Sequence, residues 1–580
     1  MTKKKFIAAY FEKKCSPISI LDEAVRDLSN NVSSSTGRKT LIICIDGISL
    51  DKIQGMIRNN KLISFKGLIE NGVSGYLRST IPPDSLPAWP SFITGKNPAK
   101  HGITGYFKKI GPENVVVNST MLNTCKYWDI FNSSGLNSVV MNLPITYPPE
   151  NIRGIMISDY LTPQGRDFAY PPGISEKLKE VGYFTELPIT RFFDYDLTRP
   201  EPYIYKINKT KEVAISIMKN YPWDTFTLAF ISPDKAHHML GLEGEAIDAV
   251  YEKIDHVLGE ILGVIDRSNT DIFLVSDHGS SNYEKEFALH PWLCQKGLLV
   301  LNSLNEQVSR KTDKNPAGLA LRLLSFVYRL KVSLNLPSMP FFHFPKAVLE
   351  DNKIDPCPFD WSKTKVYSLS PPTSNYLPVF INTKGERPFG IINKPKEYQV
   401  LRENLISEFT SIEDPETCEK VVEKVYLREE LFSGPYLNDM PDLVVQLKNE
   451  YIGFSGYIDR IRISRGPVFR KFDKPVIDHS INGLFIFSGP GSRKNVEVKE
   501  ISLIDIFPAI LYSRRLPIPD DIDGRVKNEI FIEGFFKEAE IKFQKSDAKD
   551  APGKEGWLKK HSPKDLELIN QELKRLGYIK

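Results

Sequence analysis

Apolar positions along the chain fall into short unbroken runs, each closed by a polar or acidic residue. Leu41-Ile42-Ile43-Cys44-Ile45 leads into Asp46-Gly47, and Phe226-Thr227-Leu228-Ala229-Phe230-Ile231 leads into Ser232-Pro233-Asp234. Ile272-Phe273-Leu274-Val275-Ser276 leads into Asp277-His278-Gly279. Runs with no polar alternation predict strands buried on both faces of a parallel sheet. Val139-Val140-Met141-Asn142-Leu143 and Leu484-Phe485-Ile486-Phe487 add two further candidates. Helical patterns lie between the runs, for example over 247–265, and strands alternating with helices predict a sheet covered on both faces. In such sheets ligands sit beyond the carboxyl ends of the strands, the position of Asp46, Asp234 and Asp277.

One stretch breaks this grammar. Pro82, Pro83, Pro87 and Pro90 crowd the segment from Ser79 to Gly95. Each fixes φ and removes an N–H, so the segment predicts a rigid turn with no regular helix until after Pro90. The turn presents the hydroxyl of Ser85 and then enters a short helix. Ser79, Thr80, Ser91 and Thr94 also carry hydroxyls. Ser91 and Thr94 fall in the expected helix, where hydroxyls bond preceding carbonyls, whereas Ser85 stands in the non-helical part, where its oxygen can point away from the backbone.

Beyond the runs, the chain divides by pattern. Residues 1–39 predict a helical arm and polar linker, and 40–295 the first part of a catalytic α/β domain. Residues 296–475 predict an inserted α+β cap, with an amphipathic stretch at 319–334 and elements near 376–381, 397–409, 421–427 and 443–447. Residues 476–525 return to the catalytic domain, and 526–580 form a charged tail ending in a helix at 562–576.

At 580 residues the chain has room for more than one core, and 41% apolar with 26% charged residues is ordinary for a globular protein. A net charge of +4, with no basic stripe interleaved with aromatics, gives no reason to expect nucleic acid. The six cysteines include no CxxC pair, which predicts a reducing compartment and no cysteine metal site. No run approaches ~20 apolar residues, so no membrane span is expected. The N-terminal apolar run is too short for a secretory signal, and the expected location is the cytoplasm.

Asp234 and His238 are four apart, so one helical turn brings both to one face. With Asp277-His278 and His479 they make an oxygen and nitrogen donor set suited to zinc and similar divalent ions. Two such ions balance three carboxylates and a serine alkoxide.

This ordered set resembles the alkaline phosphatase superfamily. It is most similar to the type I phosphodiesterase/nucleotide pyrophosphatase branch, and within it to the phosphohydrolase/phosphomutase proteins of archaea and bacteria. The resemblance runs from about 40 to 525. It is carried by Ile43 to Gly47, Ser85-Leu86-Pro87-Ala88-Trp89 with Thr94 to Ile103, Asp234 to His238, Asp277-His278-Gly279, His479 before Asn482-Gly483, and Leu503 to Leu511 followed by Asp521-Ile522-Asp523-Gly524. It implies a three-layer α/β/α sandwich with an inserted cap. It also implies two metal ions, zinc or else manganese: one held by Asp234, His238 and His479, the other by Asp46, Asp277, His278 and the Ser85 oxygen. Ser85 would be the nucleophile of a phosphoric-ester hydrolase, a phosphodiesterase before a monoesterase, with a phosphoseryl intermediate and a small phosphate ester as substrate. A phosphomutase and a non-catalytic binding protein are the alternatives. The sequence departs from the pattern at Tyr106, where nucleotide pyrophosphatases carry a phosphate-contacting asparagine, and at Ala88. No Cys-x-Pro-x-Arg run follows Ser85, against a sulfatase. His237 and His101 read as structural, His256 and His343 as ordinary helix or surface residues, and His290 as a lesser candidate for touching substrate.

Overall fold

The apolar runs become neighbours in one sheet. The computed structural model describes residues 16–546 apart from 31, 34–36, 111, 112, 123, 164, 186–196, 302–358, 369–373, 455–465 and 536–539. The expected arm at 1–15, the amphipathic stretch at 319–334, His343 and the helix at 562–576 lie outside the described residues.

The central sheet has nine strands: β1 (Lys39–Ile45), β2 (Gly72–Arg78), β3 (Ser138–Met141), β4 (Gly154–Ile157), β5 (Ala169–Tyr170), β6 (Thr225–Phe230), β7 (Thr270–Val275), β8 (Asn482–Ser488) and β9 (Val496–Ser502). Their order is β9-β2-β8-β7-β1-β6-β3-β4-β5. From β7 to β4 all neighbours are parallel. Side chains alternate between the two faces, as the strand geometry requires. Ile42 and Cys44 join Trp89, Phe92, Tyr127 and Trp128 on one side. Leu41, Ile43 and Ile45 join Phe65, Ile217, Val250 and Ile254 on the other. Helices cover both faces, which makes a three-layer α/β/α sandwich. The Ser19–Ser29 helix belongs to one of these layers through buried Leu21 and Val25.

The sheet is parallel at its centre but not throughout: β5 runs antiparallel to β4, and β8 runs antiparallel to both β2 and β7. The chain leaves β7 at its carboxyl end and continues as a strand, Gly279–Ala288, outside the main sheet. It returns along Phe469–Ser480, antiparallel to that strand, and enters β8 at the same end that β7 left. Coming back down from that end forces the reversed direction.

Between these two strands lies a second sheet of four strands, in the order Val366–Tyr367, Tyr376–Ile381, Leu443–Leu447, Val422–Leu427. The Lys396–Thr410 helix buries Leu405 and Phe409 in the same cluster as Val379, Ile381 and Val445. The part after 525 is not all charged tail: Ile530, Phe531 and Phe535 pack into the main core beside Tyr512. Among the described residues no helix is long and apolar enough to cross a membrane.

The centre of the sheet fixes the scale of its stability. Phe273 on β7 is fully buried and stacks on Phe487 of β8, with ring centroids 4.4 Å apart. Phe273→Ala is expected to cost about 3–5 kcal/mol, read as a lower midpoint in denaturant unfolding. A loss no greater than that of an exposed substitution would contradict this packing.

Candidate active site and metal centre

The Ser85 segment folds differently from expectation. A helix runs from Ser85 to Thr94, so it begins before Pro87 and Pro90 rather than after them. Asp84 caps it, its carboxylate accepting the Leu86 N–H at 3.0 Å. The first helical bond runs from Ala88 N–H to the Asp84 carbonyl. The N–H groups of a helix's first turn have no partner inside it, so Pro87, at the third position, removes nothing the helix uses. Only Pro90 removes a ladder bond. Ser85 therefore opens the helix, at the end where the backbone dipole favours negative charge.

The other hydroxyls are committed elsewhere. Thr94 Oγ1 donates to the Pro90 carbonyl at 2.6 Å, as expected of a helical threonine. Ser91 instead meets His101 Nε2 at 2.9 Å. His101 Nδ1 accepts the Ile103 N–H, so Nε2 carries the proton and donates to Ser91. Burial first, then the charges of Lys108 and Lys96, push this imidazole down to about 3, which keeps it neutral. The far end of the helix is clamped by the Asp521-to-Gly524 loop: the Asp523 and Gly524 N–H groups donate to the Gly95 carbonyl, and Lys100 pairs with Asp523 at 2.5 Å.

Asp46 follows β1, Asp234 sits in the Ser232–Leu240 helix that follows β6, and Asp277 with His278 follows β7. All three arrive at the carboxyl edge of adjacent strands. The antiparallel return sets Ser280 opposite His479, which brings His479 to the same edge. Gly47, at φ +74°, lies against Asp234; a Cβ there would stand 2.8 Å from the Asp234 Cβ.

The seven side chains singled out from the sequence converge. Ser85 Oγ lies 3.0 Å from His278 Nε2 and 3.3 Å from Asp46 Oδ1. His278 Nε2 is 3.4 Å from both Asp46 and Asp277. Asp234 Oδ1 is 3.6 Å from His238 Nε2 and 3.8 Å from His479 Nε2. The His278 and His479 rings stack with centroids 3.8 Å apart. Three triples bring a possible ligand atom from each member within 4.8 Å of the others: Asp46, Asp277 and His278; Asp234, His278 and His479; His238, Asp478 and His479.

The donor set fits divalent cations. His278 Nδ1–H donates to the Gly279 carbonyl and His479 Nδ1–H to the Pro83 carbonyl, which turns each Nε2 lone pair into the shared space. His479 Nε2, Asp46 Oδ2 and both Asp277 oxygens are buried without a hydrogen-bond partner of good geometry. Burial, then the Asp277 and Asp234 charges, hold Asp46 well above the carboxylate range. Burial and the Asp234 charge push Asp277 up to about 7. Burial also acts on Asp234, but the surrounding histidines, His238 foremost, outweigh it and keep it below the usual range. Burial lowers His278 and His479. Buried, crowded carboxylates facing bare imidazole nitrogens are the pattern a cation relieves.

His237 bonds Tyr251 through Nε2 and Ser280 through Nδ1, so both nitrogens are engaged in holding its helix to the sheet edge. His290 bonds the Ser368 carbonyl and packs edge-on against Phe359, which gives it a place within the second sheet's surroundings. His256 is exposed beside Glu260. Tyr106 meets Tyr160, hydroxyl to hydroxyl, at 3.4 Å. Burial raises Tyr160 well above its ordinary value, with the Asp46 and Asp84 charges adding to it, so this pair borders the cluster. Sequence reasoning missed Tyr160, Asp84 and Asp478. Asp84 was legible as a helix cap only once the helix start was known, and Asp478 only as the neighbour of His479.

Gly47→Ala forces a side chain into a left-handed backbone position and against Asp234. The variant is expected to stay folded by circular dichroism while its affinity for divalent ions falls at least about tenfold. Wild-type metal affinity in the variant would refute the close approach.

The family model described as type I phosphodiesterase / nucleotide pyrophosphatase matches residues 40–332. A 2,3-bisphosphoglycerate-independent phosphoglycerate mutase of Gloeothece citriformis is 26% identical over 111 residues, 19% of this chain and 20% of the mutase. The match thus spans about a fifth of that relative's length. Among solved structures, murine ectonucleotide pyrophosphatase/phosphodiesterase 5 is 13% identical, with 83% of this chain and 95% of that one covered and a TM-score of 0.46. The human protein of the same name is 12% identical, with 85% and 100% covered and a TM-score of 0.47. A family match over half of the chain, on a sandwich of alkaline-phosphatase type, makes this chain a member of the type I phosphodiesterase/nucleotide pyrophosphatase family.

Proposed function

We propose that the chain is a metal-dependent phosphoric-ester hydrolase, of phosphodiesterase/nucleotide pyrophosphatase type, with Ser85 as nucleophile. The observation that carries this is Ser85 Oγ at the start of a helix, within 3.3 Å of Asp46 and 3.0 Å of His278, among buried donors without partners. Asp46, Asp277, His278 and Ser85 would hold one divalent ion, and Asp234, His238 and His479 the other; zinc and manganese both suit these donors. Bound ions supply charge neutralisation and lower the pKa of an attached oxygen by several units.

Ser85 Oγ–H faces Asp46 Oδ1, which gives its proton a route off the oxygen. The helix dipole favours the resulting negative charge. Oγ then forms a bond to phosphorus as the bond to the ester's leaving oxygen breaks, and the leaving oxygen takes up the proton that Ser85 released. Water attacks the phosphoseryl group from the opposite side, and phosphate or its monoester departs with Ser85 reprotonated. The Gly279 and Pro83 carbonyls orient the His278 and His479 rings.

The second sheet, within 296–475, we read as a cap over this site. Its Ser433–Tyr436 stretch reaches the turn after the Ser85 helix: the Asn97 side-chain amide donates to the Ser433 carbonyl, and Tyr436 N–H to the Ala99 carbonyl. The match to a phosphoglycerate mutase favours one second reading, in which the phosphoseryl group is returned to the substrate at another oxygen. An isomerised product, rather than free phosphate or a monoester, would select it. The setting we propose is the cytoplasm, on the spread of the six cysteines with no CxxC pair.

Ser85→Ala is expected to lose several orders of magnitude in kcat/KM on a chromogenic diester, whereas Ser91→Ala retains most of it. Vanadate or a slow substrate should leave the label on the peptide containing Ser85; full activity in Ser85→Ala, or a label on Ser91 or Thr80, would overturn the assignment. Elemental analysis of purified protein should find close to two divalent ions per chain, with activity abolished by chelation and restored by metal. Activity that survives complete removal of metal would defeat the two-ion reading.

A further inference from the structure

Asp478 has no part in the ligand set implied by the resemblance. It lies on the Phe469–Ser480 strand directly before His479, where successive side chains ordinarily face opposite sides. Here the carboxylate folds back, Oδ1 accepting the His479 N–H at 2.9 Å, and comes round to the His479 side. Oδ1 stands 3.9 Å from His479 Nε2. His238, Asp478 and His479 each offer a ligand atom within 4.8 Å of the others. His479 Nε2 is buried and without a hydrogen-bond partner, so its lone pair is directed into the space these three enclose.

We propose that Asp478 is a fourth protein ligand of the ion held by Asp234, His238 and His479, and that this position is built for a six-coordinate ion of the manganese kind. The proposal rests on the two-ion reading above. Two carboxylates and two imidazoles fill a tetrahedral zinc ion, and a catalytic site must keep a position open for water or substrate. A six-coordinate ion accepts the same four ligands and still has two positions to offer. Carboxylate oxygen also suits manganese better than it suits softer ions. Asp478 thereby shifts a site that three ligands would leave well matched to zinc toward a harder, larger coordination sphere.

The test uses the full chain, stripped of metal and titrated separately with manganese and zinc against a fluorescent chelator. Bound ions are counted by elemental analysis. Asp478→Asn keeps an oxygen to accept the His479 N–H, Asp478→Ala removes it, and Asp473→Asn, exposed on the same strand, serves as control. At one of two sites Asp478→Asn is expected to weaken manganese by about 10–100-fold and zinc by less, so the preference for zinc over manganese rises. The second site and the control should keep wild-type affinities. Unchanged manganese affinity in both Asp478 variants would overturn the proposal, and equal weakening of both metals would overturn the six-coordinate assignment. Wild-type protein that takes up no ions at all would instead defeat the two-ion reading on which the proposal stands.

Discussion

Uncompensated negative charge is the constraint around which this molecule is arranged. Asp46, Asp234 and Asp277 are all fully buried, at the edges of three adjacent strands. Removing even one carboxylate from water costs several kcal/mol unless a partner repays it. Asp46 Oδ2 and both Asp277 oxygens find no hydrogen-bond partner, and Asp46 Oδ1 has only the Ser85 hydroxyl at 3.3 Å. Burial makes His278 and His479 poor cations, whereas at His238 burial is outweighed by the Asp234 and Asp478 charges, which raise it, and it compensates Asp234. A cluster of this kind suits positive charge from outside the chain, and the scaffold fixes where its side chains stand.

That scaffold does its positioning with backbone rather than with side-chain packing alone. Parallel strands align three aspartates at one edge because each strand ends in register with its neighbour. Ile48 N–H is tied to Ser276 Oγ, and Ser280 Oγ to the Gly47 carbonyl, so the loops after β1 and β7 are laced together. The Ser85 helix is pinned at both ends, by Asp84 at its start and by the Asp523-Gly524 amides at its finish. A hydroxyl so held has little freedom to lose when a ligand arrives, which is where much of the benefit of orientation comes from.

Much of this was legible in the sequence, for identifiable reasons. Unbroken apolar runs ending in aspartate marked β1, β6 and β7, because strands buried on two faces cannot alternate and the chemistry must sit where they end. The four-residue spacing of Asp234 and His238 marked one helical face. The Ser85 helix was misread because proline counts were weighed without regard to position: in a first turn, the N–H that Pro87 lacks has no helical use. The direction of β8 was not legible, since an apolar run looks the same read either way and only the site of re-entry decides. Asp478 was hidden by strand alternation, which places neighbours on opposite faces unless a side chain folds back onto its own backbone. The flanking strands β2 and β9, parallel to each other, carry Ser74, Gly75, Lys499 and Glu500, and their mixed polarity gave no comparable signal.

The return of the chain to β8 has a consequence for how such a protein changes over time. Gly279–Ala288 and Phe469–Ser480 form a stalk, and everything between 288 and 469 enters and leaves through it. Closing a longer loop through an already paired stalk costs little, about 0.6 kcal/mol for each doubling of its length. Material inserted there is therefore nearly neutral for the clustered side chains, whose separation is set by the stalk's register and not by what hangs from it. Ser280 opposite His479 remains opposite whatever the intervening segment becomes. The stalk thus separates two histories: the reacting centre can be retained while the segment above it is lengthened, replaced or refashioned for a different molecule.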